Sequence, residues 1–406
     1  MATLHRLGPT DLDRLESELK AFAHERPVAL ILPCHARELG TPALQRIVRE
    51  LAGVRYLDQI VVGLDCASPA DHDSACRIFG TLPQARVIWN DGPRVSGLID
   101  RLALADFPSG EPGKGRNLWL ASGFVLAART ARVVVAHDCD ISTYSRDMLA
   151  RLCYPVVHPT FGFDFCKGFS ARFSDRLNGR VMRLLLTPLV RSLHAILGAN
   201  EFLTFLDAFR YPLSGEAVMT VDLLRRARIP TDWGVELGFL AEVFRTLSPG
   251  AVCQVDVSEA YDHKHQDLSP DNPGRGLNKM AGDIAGRLFR TLAGFGTRLD
   301  QGLFDSLLAA YNAKAAETLR FFAADAALNG LHYNQHDEEA AVSTFAQAVR
   351  RASVDFLANP AGPPALAEWN RVESTLPDFL PSLVEAVGLD RESAGRTTGP
   401  GSPALR

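Results

Sequence analysis

Short apolar runs alternate with amphipathic stretches through the first two thirds of the chain. Val28-Ala29-Leu30-Ile31-Leu32-Pro33, Gln59-Ile60-Val61-Val62-Gly63-Leu64, Ala85-Arg86-Val87-Ile88-Trp89 and residues 131–137 have the length and β-branched content of buried strands. Proline is read as the stop of the first. Helical patterns separate them at 9–26, 41–53, 70–79 and 115–130, with Thr10 or Asp11 as cap of the first. Strands alternating with helices of this length predict an α/β fold, a mostly parallel sheet with right-handed crossovers. Further on, 161–173 reads as aromatic-rich and extended, 178–198 as a long helix, 216–226 and 234–246 as shorter helices, and 251–257 as a strand. From Pro273 the pattern is amphipathic helix at 273–294, 301–327 and 337–358. Residues 391–406 lack apolar periodicity and are rich in Gly, Ser, Thr and Pro, which predicts a disordered tail. The chain therefore divides into an α/β domain over 1–268 with an N-terminal helix, a helical region over 269–390 and a tail over 391–406. The helical region is expected to mediate dimerisation or to cover a site, and a homodimer follows if its apolar faces find no partner in the sheet.

A chain of 406 residues can bury a substantial core, and 47% apolar with 22% charged residues is ordinary for a globular protein. The net charge of -4 argues against a general nucleic-acid surface. Seven scattered cysteines without a C-x-x-C suit reduced thiols, and no run approaches the roughly 20 apolar residues of a membrane span. The expectation is a soluble cytoplasmic protein that binds neither nucleic acid nor membrane.

The candidate chemistry clusters at strand ends. Asp138-Cys139-Asp140 directly follows the apolar run 131–137, at the mouth where open α/β sheets bind ligands. Two readings are open for such a triplet alone: a solvated loop with two acids, or a pair of carboxylates holding a hard divalent cation against an anionic ligand. Pro33-Cys34-His35-Ala36-Arg37-Glu38 follows the first strand, Asp65 and Ser68 follow the second, and Gly113-Lys114-Gly115 opens a helix. A cation-binding pair, a lysine and backbone donors at a helix start together suit a diphosphate. Asn178-Gly179-Arg180-Val181-Met182 offers backbone N–H groups and a guanidinium to a phosphate or carboxylate. Glu236 lies at a Gly-flanked helix start, and Tyr261-Asp262-His263-Lys264-His265 follows the strand 251–257. A neutral imidazole there can complete a Mg2+ or Mn2+ shell. Gly294-Phe295-Gly296-Thr297-Arg298-Leu299 imitates a nucleotide loop but falls between two helical patterns, so it is read as a turn.

In this order the motifs resemble those of the retaining glycosyltransferases of the GT-A fold, specifically the glucosyl-3-phosphoglycerate synthases, over roughly residues 28–268. The matching elements are the loop from Pro33 to Glu38, Asp65 and Ser68, Gly113-Lys114-Gly115 with Leu118-Trp119, and Asp138 with Asp140. Gly179-Arg180-Val181-Met182, Pro212-Leu213-Ser214-Gly215-Glu216, Gly234-Val235-Glu236-Leu237-Gly238 and Tyr261-Asp262-His263-Lys264-His265 follow. The resemblance implies a Rossmann-like nucleotide-sugar fold with a helical C-terminal region, and glucose transfer from UDP- or GDP-glucose to 3-phosphoglycerate for glucosylglycerate synthesis. It implies catalytic roles for Asp140, Glu236 and Lys114. It assigns Mg2+ or Mn2+ to Asp138, Asp140 and His263, and donor contacts to Pro33, Glu38, Asp65, Ser68, Lys114, Asp138, Leu213 and Gly215. The acceptor falls to Gly179, Arg180, Val181, Met182, Tyr261 and His265.

Three departures lie on the acceptor side: Met182 stands for a threonine, Tyr261 for an arginine and His265 for an asparagine of the family pattern. They leave room for a mannosyl-3-phosphoglycerate synthase or another small acceptor. A nucleotidylyltransferase or an inactive nucleotide-sugar-binding protein is a more distant alternative, the first lacking its glycine-rich loop after strand one.

Overall fold

A computed structural model describes residues 1–262 and 266–396, with side chains through Ala394. The first half of the chain builds β1 (Ala2–Leu4), α1 (Leu12–Ala23), β2 (Val28–His35), α2 (Pro42–Leu51), β3 (Leu57–Asp65), α3 (Pro69–Phe79) and β4 (Ala85–Trp89). It continues through α4 (Pro93–Leu104), α5 (Lys114–Ala128), β5 (Val133–Ala136), α6 (Arg146–Val157) and β6 (Phe165–Arg172). Then come α7 (Thr187–Leu197), α8 (Glu201–Asp207), β7 (Ala217–Thr220), α9 (Val221–Arg226), α10 (Val235–Thr246) and β8 (Val252–Tyr261). Five helices finish it: α11 (Gly276–Gly294), α12 (Gln301–Leu328), α13 (Gln335–Ala358), α14 (Trp369–Thr375) and α15 (Phe379–Arg396).

The strands form one sheet in the order β1-β8-β6-β7-β5-β2-β3-β4, and β7 runs against its neighbours. The mostly parallel α/β sheet with a helical C-terminal region is as expected. Its central strands are buried on both faces, which is why they read as continuous apolar runs. Leu30, Leu32, Val133 and Val135 meet α1, α2 and α6 on one face, while Ala29, Ile31, Val134 and Ala136 meet the opposite layer. β2, β3, β5 and β6 all end at the same edge, which makes that edge the mouth.

Several local expectations are corrected. Pro33 does not stop the first strand, because β2 continues to His35. Beyond Ile31↔Ala136 it is paired with β3 alone, where a missing N–H is tolerated. Residues 216–226 are not one helix. Ala217–Thr220 fills the gap between β5 and β6 as a strand, and the helix begins only at Val221. Alanine and methionine favour helix locally, so tertiary pairing overrides propensity there. The long helix at 178–198 is interrupted by a π-helical turn at Val181–Leu186. Pro188 has no N–H for the Leu184 carbonyl, which accepts instead from the buried Tyr311 hydroxyl at 2.7 Å. Helices α4, α6, α8, α14 and α15 had no sequence counterpart, and α15 carries the chain through Arg396, so the tail does not begin at 391.

The C-terminal helices find their partner within the chain. α11–α15 share one continuous apolar cluster with the sheet face and α5. Trp369 stacks on Trp119 with ring centroids 3.9 Å apart. The apolar faces that suggested a homodimer are therefore covered internally. Gly294 ends α11 and residues 295–299 lie in its connection to α12, an inter-helix turn as expected. All seven cysteines are free, and no helix among the described residues is long and apolar enough to cross a membrane.

Candidate active site

Lys114 is the first residue of α5, and the start of that helix is fixed from two sides. A Cβ on Gly115 would lie 1.9 Å from the Pro230 carbonyl oxygen, so only glycine lets the helix start pack there. One turn on, the buried Asn117 donates from Nδ2 to the Gly63 carbonyl at 2.7 Å, pinning α5 to β3. Gly63 leaves the room for it, since a Cβ would meet Asn117 Oδ1 at 1.8 Å.

This brings Lys114 Nζ to 2.6 Å from Asp138 Oδ1 and 2.7 Å from Glu236 Oε1. Burial opposes the lysine charge, but the two carboxylates outweigh it and hold the ammonium well above its ordinary range. Asp140 has the opposite environment. Burial and then repulsion from Asp138 push its carboxyl up to about 7, with Glu38 adding and Lys114 opposing. Gly215 lies against Asp138, and a Cβ there would be 2.4 Å from Oδ2.

The other residues that the resemblance assigns to the donor lie in or just after β2 and β3 and on the segment before β7. Glu38 is buried on the short turn Ala36–Glu38 and accepts from Arg37 Nε at 3.0 Å. Asp65 ends β3, where burial pushes its carboxyl up to about 6 despite a 2.8 Å bond from Asn90 Nδ2. Pro33 is part of β2, and Leu213 is half-buried against the core. Ser68 is exposed and caps α3: its hydroxyl donates to Asp71 Oδ2 at 2.6 Å and accepts from the Asp71 N–H.

On the acceptor side Gly179 has φ +72, a left-handed conformation that favours glycine, and a Cβ would meet the Tyr211 hydroxyl at 2.6 Å. Arg180 pairs with Glu338, Val181 is buried, and Met182 packs its side chain against the core. Tyr261 is also buried, with its hydroxyl donating to Glu216. His263 and His265 lie outside the described residues.

Sequence reasoning missed the buried network behind Asp138. Glu216 accepts from the Ser214 hydroxyl at 2.6 Å and from Arg172 Nη2 at 3.2 Å. Burial works against its charge, yet Arg172 and the Ser214 and Tyr261 hydroxyls hold the carboxyl below its ordinary value while Asp138 opposes them. The Arg172 guanidinium is sandwiched between the rings of Tyr211 and Tyr261, 4.1 and 4.0 Å away. Lys167 lies buried on β6, its ammonium pushed down to about 8 by burial, with Glu236 and Glu216 as the nearest opposing charges. Lys167 and Arg172 had a signal, being cations in an aromatic-rich stretch read as extended. Glu216 ended a quoted motif, but only the fold buries it.

Comparison with known proteins decides the family. The glucosyl-3-phosphoglycerate synthase of Persephonella marina is 41% identical over 391 residues, 96% of this chain and 97% of that relative. This chain belongs to the glucosyl-3-phosphoglycerate synthase family. It is thus a glycosyltransferase. The Methanococcoides burtonii glucosyl-3-phosphoglycerate synthase is 36% identical, covering 93% of each chain. No protein-family model matches. Among solved structures, the Mycobacterium tuberculosis glucosyl-3-phosphoglycerate synthase in complex with Mn2+, UDP-glucose and phosphoglyceric acid has a TM-score of 0.53 and 25% identity. That match covers 74% of this chain and 89% of that one. The mannosyl-3-phosphoglycerate synthase of Rubrobacter xylanophilus, with a TM-score of 0.55 at 21% identity over 74% of this chain and 83% of its own, shares the GT-A fold.

Proposed function

We propose that this glucosyl-3-phosphoglycerate synthase family member transfers glucose from UDP- or GDP-glucose to 3-phosphoglycerate with retention of configuration, giving glucosyl-3-phosphoglycerate for glucosylglycerate synthesis. The observation that carries the reading is one ammonium, Lys114, bonded to both Asp138 and Glu236 at the mouth of the sheet.

A divalent cation, Mg2+ or Mn2+, fits the donor set here. Burial, joined by repulsion from Asp138, raises Asp140 to about 7, and a hard cation relieves that repulsion. Among the described residues no three His, Cys, Asp or Glu side chains gather as ligands. Two carboxylates with water and a substrate diphosphate are the usual Mg2+ arrangement, and His263 is a further candidate ligand. When bound, the cation supplies charge neutralisation at the diphosphate.

Asp138 and Asp140 hold that cation, and Lys114 stabilises charge on the departing nucleoside diphosphate. Glu38, Asp65, Pro33, Leu213 and Gly215 line the nucleotide side. The backbone at 179–182 and Arg180 receive the acceptor phosphate, the buried Tyr261 backs that corner, and His265 is a further candidate contact. A double displacement needs a carboxylate on the face opposite the leaving group. Glu236 shares its ammonium with Asp138, which aligns it with the leaving-group side, so it orients sugar or acceptor. In front-face attack the acceptor hydroxyl gives its proton to the departing phosphate oxygen.

The 269–390 region acts as a cover of the sheet face. A homodimer would use its outer surface, where Phe321, Leu328 and Val354 are exposed; sedimentation tests this. For activity, purified protein is incubated with Mg2+ or Mn2+, each of UDP-glucose, GDP-glucose and GDP-mannose, and 3-phosphoglycerate. Acceptor-dependent nucleoside diphosphate release with a glucose donor is expected. Release only with GDP-mannose would favour the mannosyl activity, and no release with any pair would sink the proposal.

A further inference from the structure

The acceptor half of the site is completed from far along the chain. Glu338 lies in the first turn of α13, 158 residues beyond Arg180. Its Oε1 accepts from Arg180 Nε at 2.8 Å and its Oε2 from Arg183 Nη1 at 2.8 Å. Glu338 is 5% exposed. Arg183 is itself anchored: Nε donates to the Asn178 carbonyl at 2.9 Å and Nη2 to the Leu177 carbonyl at 3.2 Å. Its guanidinium lies 4.8 Å over the Phe322 ring. Among the described residues, Arg180 is thus held through Nε alone.

A run of contacts joins this corner to the mouth. Gly179 abuts the Tyr211 hydroxyl, Tyr211 lies under Arg172, and Arg172 bonds to Glu216 behind Asp138. We propose that Glu338 is the positioning residue that sets Arg180 for the anionic group of the acceptor, so that α13 completes the acceptor half of the site. This rests on the assignment of the acceptor phosphate to residues 179–182.

The geometry and the charge balance favour positioning over blocking. Glu338 grips Arg180 side-on at Nε, which leaves the terminal nitrogens for a bidentate anion contact. A long arginine side chain loses rotamer freedom when it binds, and fixing it beforehand lowers that cost. Glu338 cannot easily be displaced, because its second oxygen is tied to an anchored, buried guanidinium. Two guanidinium groups and one carboxylate leave one net positive charge, the sign an anionic acceptor requires.

The test is steady-state kinetics of Glu338→Gln, Arg180→Met and the double variant, with donor and acceptor varied separately. KM does not depend on the fraction of enzyme folded, so a purely structural defect would not move it. Glu338→Gln is expected to raise the acceptor KM about tenfold or more, with donor KM within about twofold, and to add nothing when Arg180 is already Met. Glu338→Asp, which keeps the charge but withdraws the carboxylate, serves with the same expectation if Gln does not fold. Unchanged acceptor KM in the Glu338 variants beside a raised one in Arg180→Met would overturn the positioning role, as would additive effects in the double variant. Unchanged acceptor KM in Arg180→Met would instead overturn the acceptor assignment, and this proposal with it.

Discussion

Lys114 Nζ lies 2.7 Å from Glu236 Oε1, an ion pair that ties the start of α5 to the start of α10 across the mouth. The same ammonium bonds Asp138, so one side chain joins the two carboxylates on which the proposed transfer depends. Replacing Lys114 with Met removes the fixed cation and leaves both carboxylates without it. Turnover is expected to fall about 10²–10³-fold, measured as nucleoside diphosphate release at saturating substrates.

Glu236→Gln separates orientation from covalent chemistry. Glutamine keeps the shape and one acceptor oxygen for Lys114 but cannot act as a nucleophile. Turnover within about tenfold of wild type is expected; a loss of about 10⁴-fold or more would reinstate a double displacement.

Asp65 costs the fold stability in the position proposed for the donor. Its carboxyl is pushed up to about 6 from 3.8, mainly by burial, so between those values the folded protein holds a proton that the unfolded chain has released. Stability therefore falls as pH rises through that window, and the full cost persists above it. Asp65→Asn keeps an acceptor for Asn90 and removes the charge. It is expected to stabilise the ligand-free protein by about 1–3 kcal/mol at pH 7, to flatten the pH 4–6 dependence in urea unfolding, and to weaken nucleotide binding.

Gly215→Ala places a methyl group against the Asp138 carboxylate. Because the carboxylate must move, activity should drop about 10-fold or more while the melting temperature changes by only a few degrees. Equal loss of both would mean that Gly215 serves the fold alone.

Trp369 carries the C-terminal region onto α5. It stacks on Trp119, whose Nε1 donates to the Ala367 carbonyl at 2.8 Å, and it occupies space that a Cβ on Gly123 would contest at 2.4 Å. Trp369→Ala is expected to cost about 3–5 kcal/mol, with unfolding still in a single transition because the cluster is continuous. A separate early transition for the C-terminal helices would show that they fold independently.

The sequence by itself determined a mostly parallel sheet, its buried strands β2, β3, β4, β5 and β8, the place of Asp138 and Asp140 after β5 and that of Lys114 at a helix start. Those features are local: β-branched runs, helix periodicity and polar residues at run ends encode them directly. Only the tertiary structure decided that Ala217–Thr220 is a strand, that a π-turn precedes Pro188, and that the late helices cover the sheet rather than await a second copy. It alone joined Glu236 to Lys114 and Glu338 to Arg180, pairs separated by 122 and 158 residues. A buried charge is stable only beside a counter-charge, and which distant segment supplies it depends on packing, which no local pattern in the chain records.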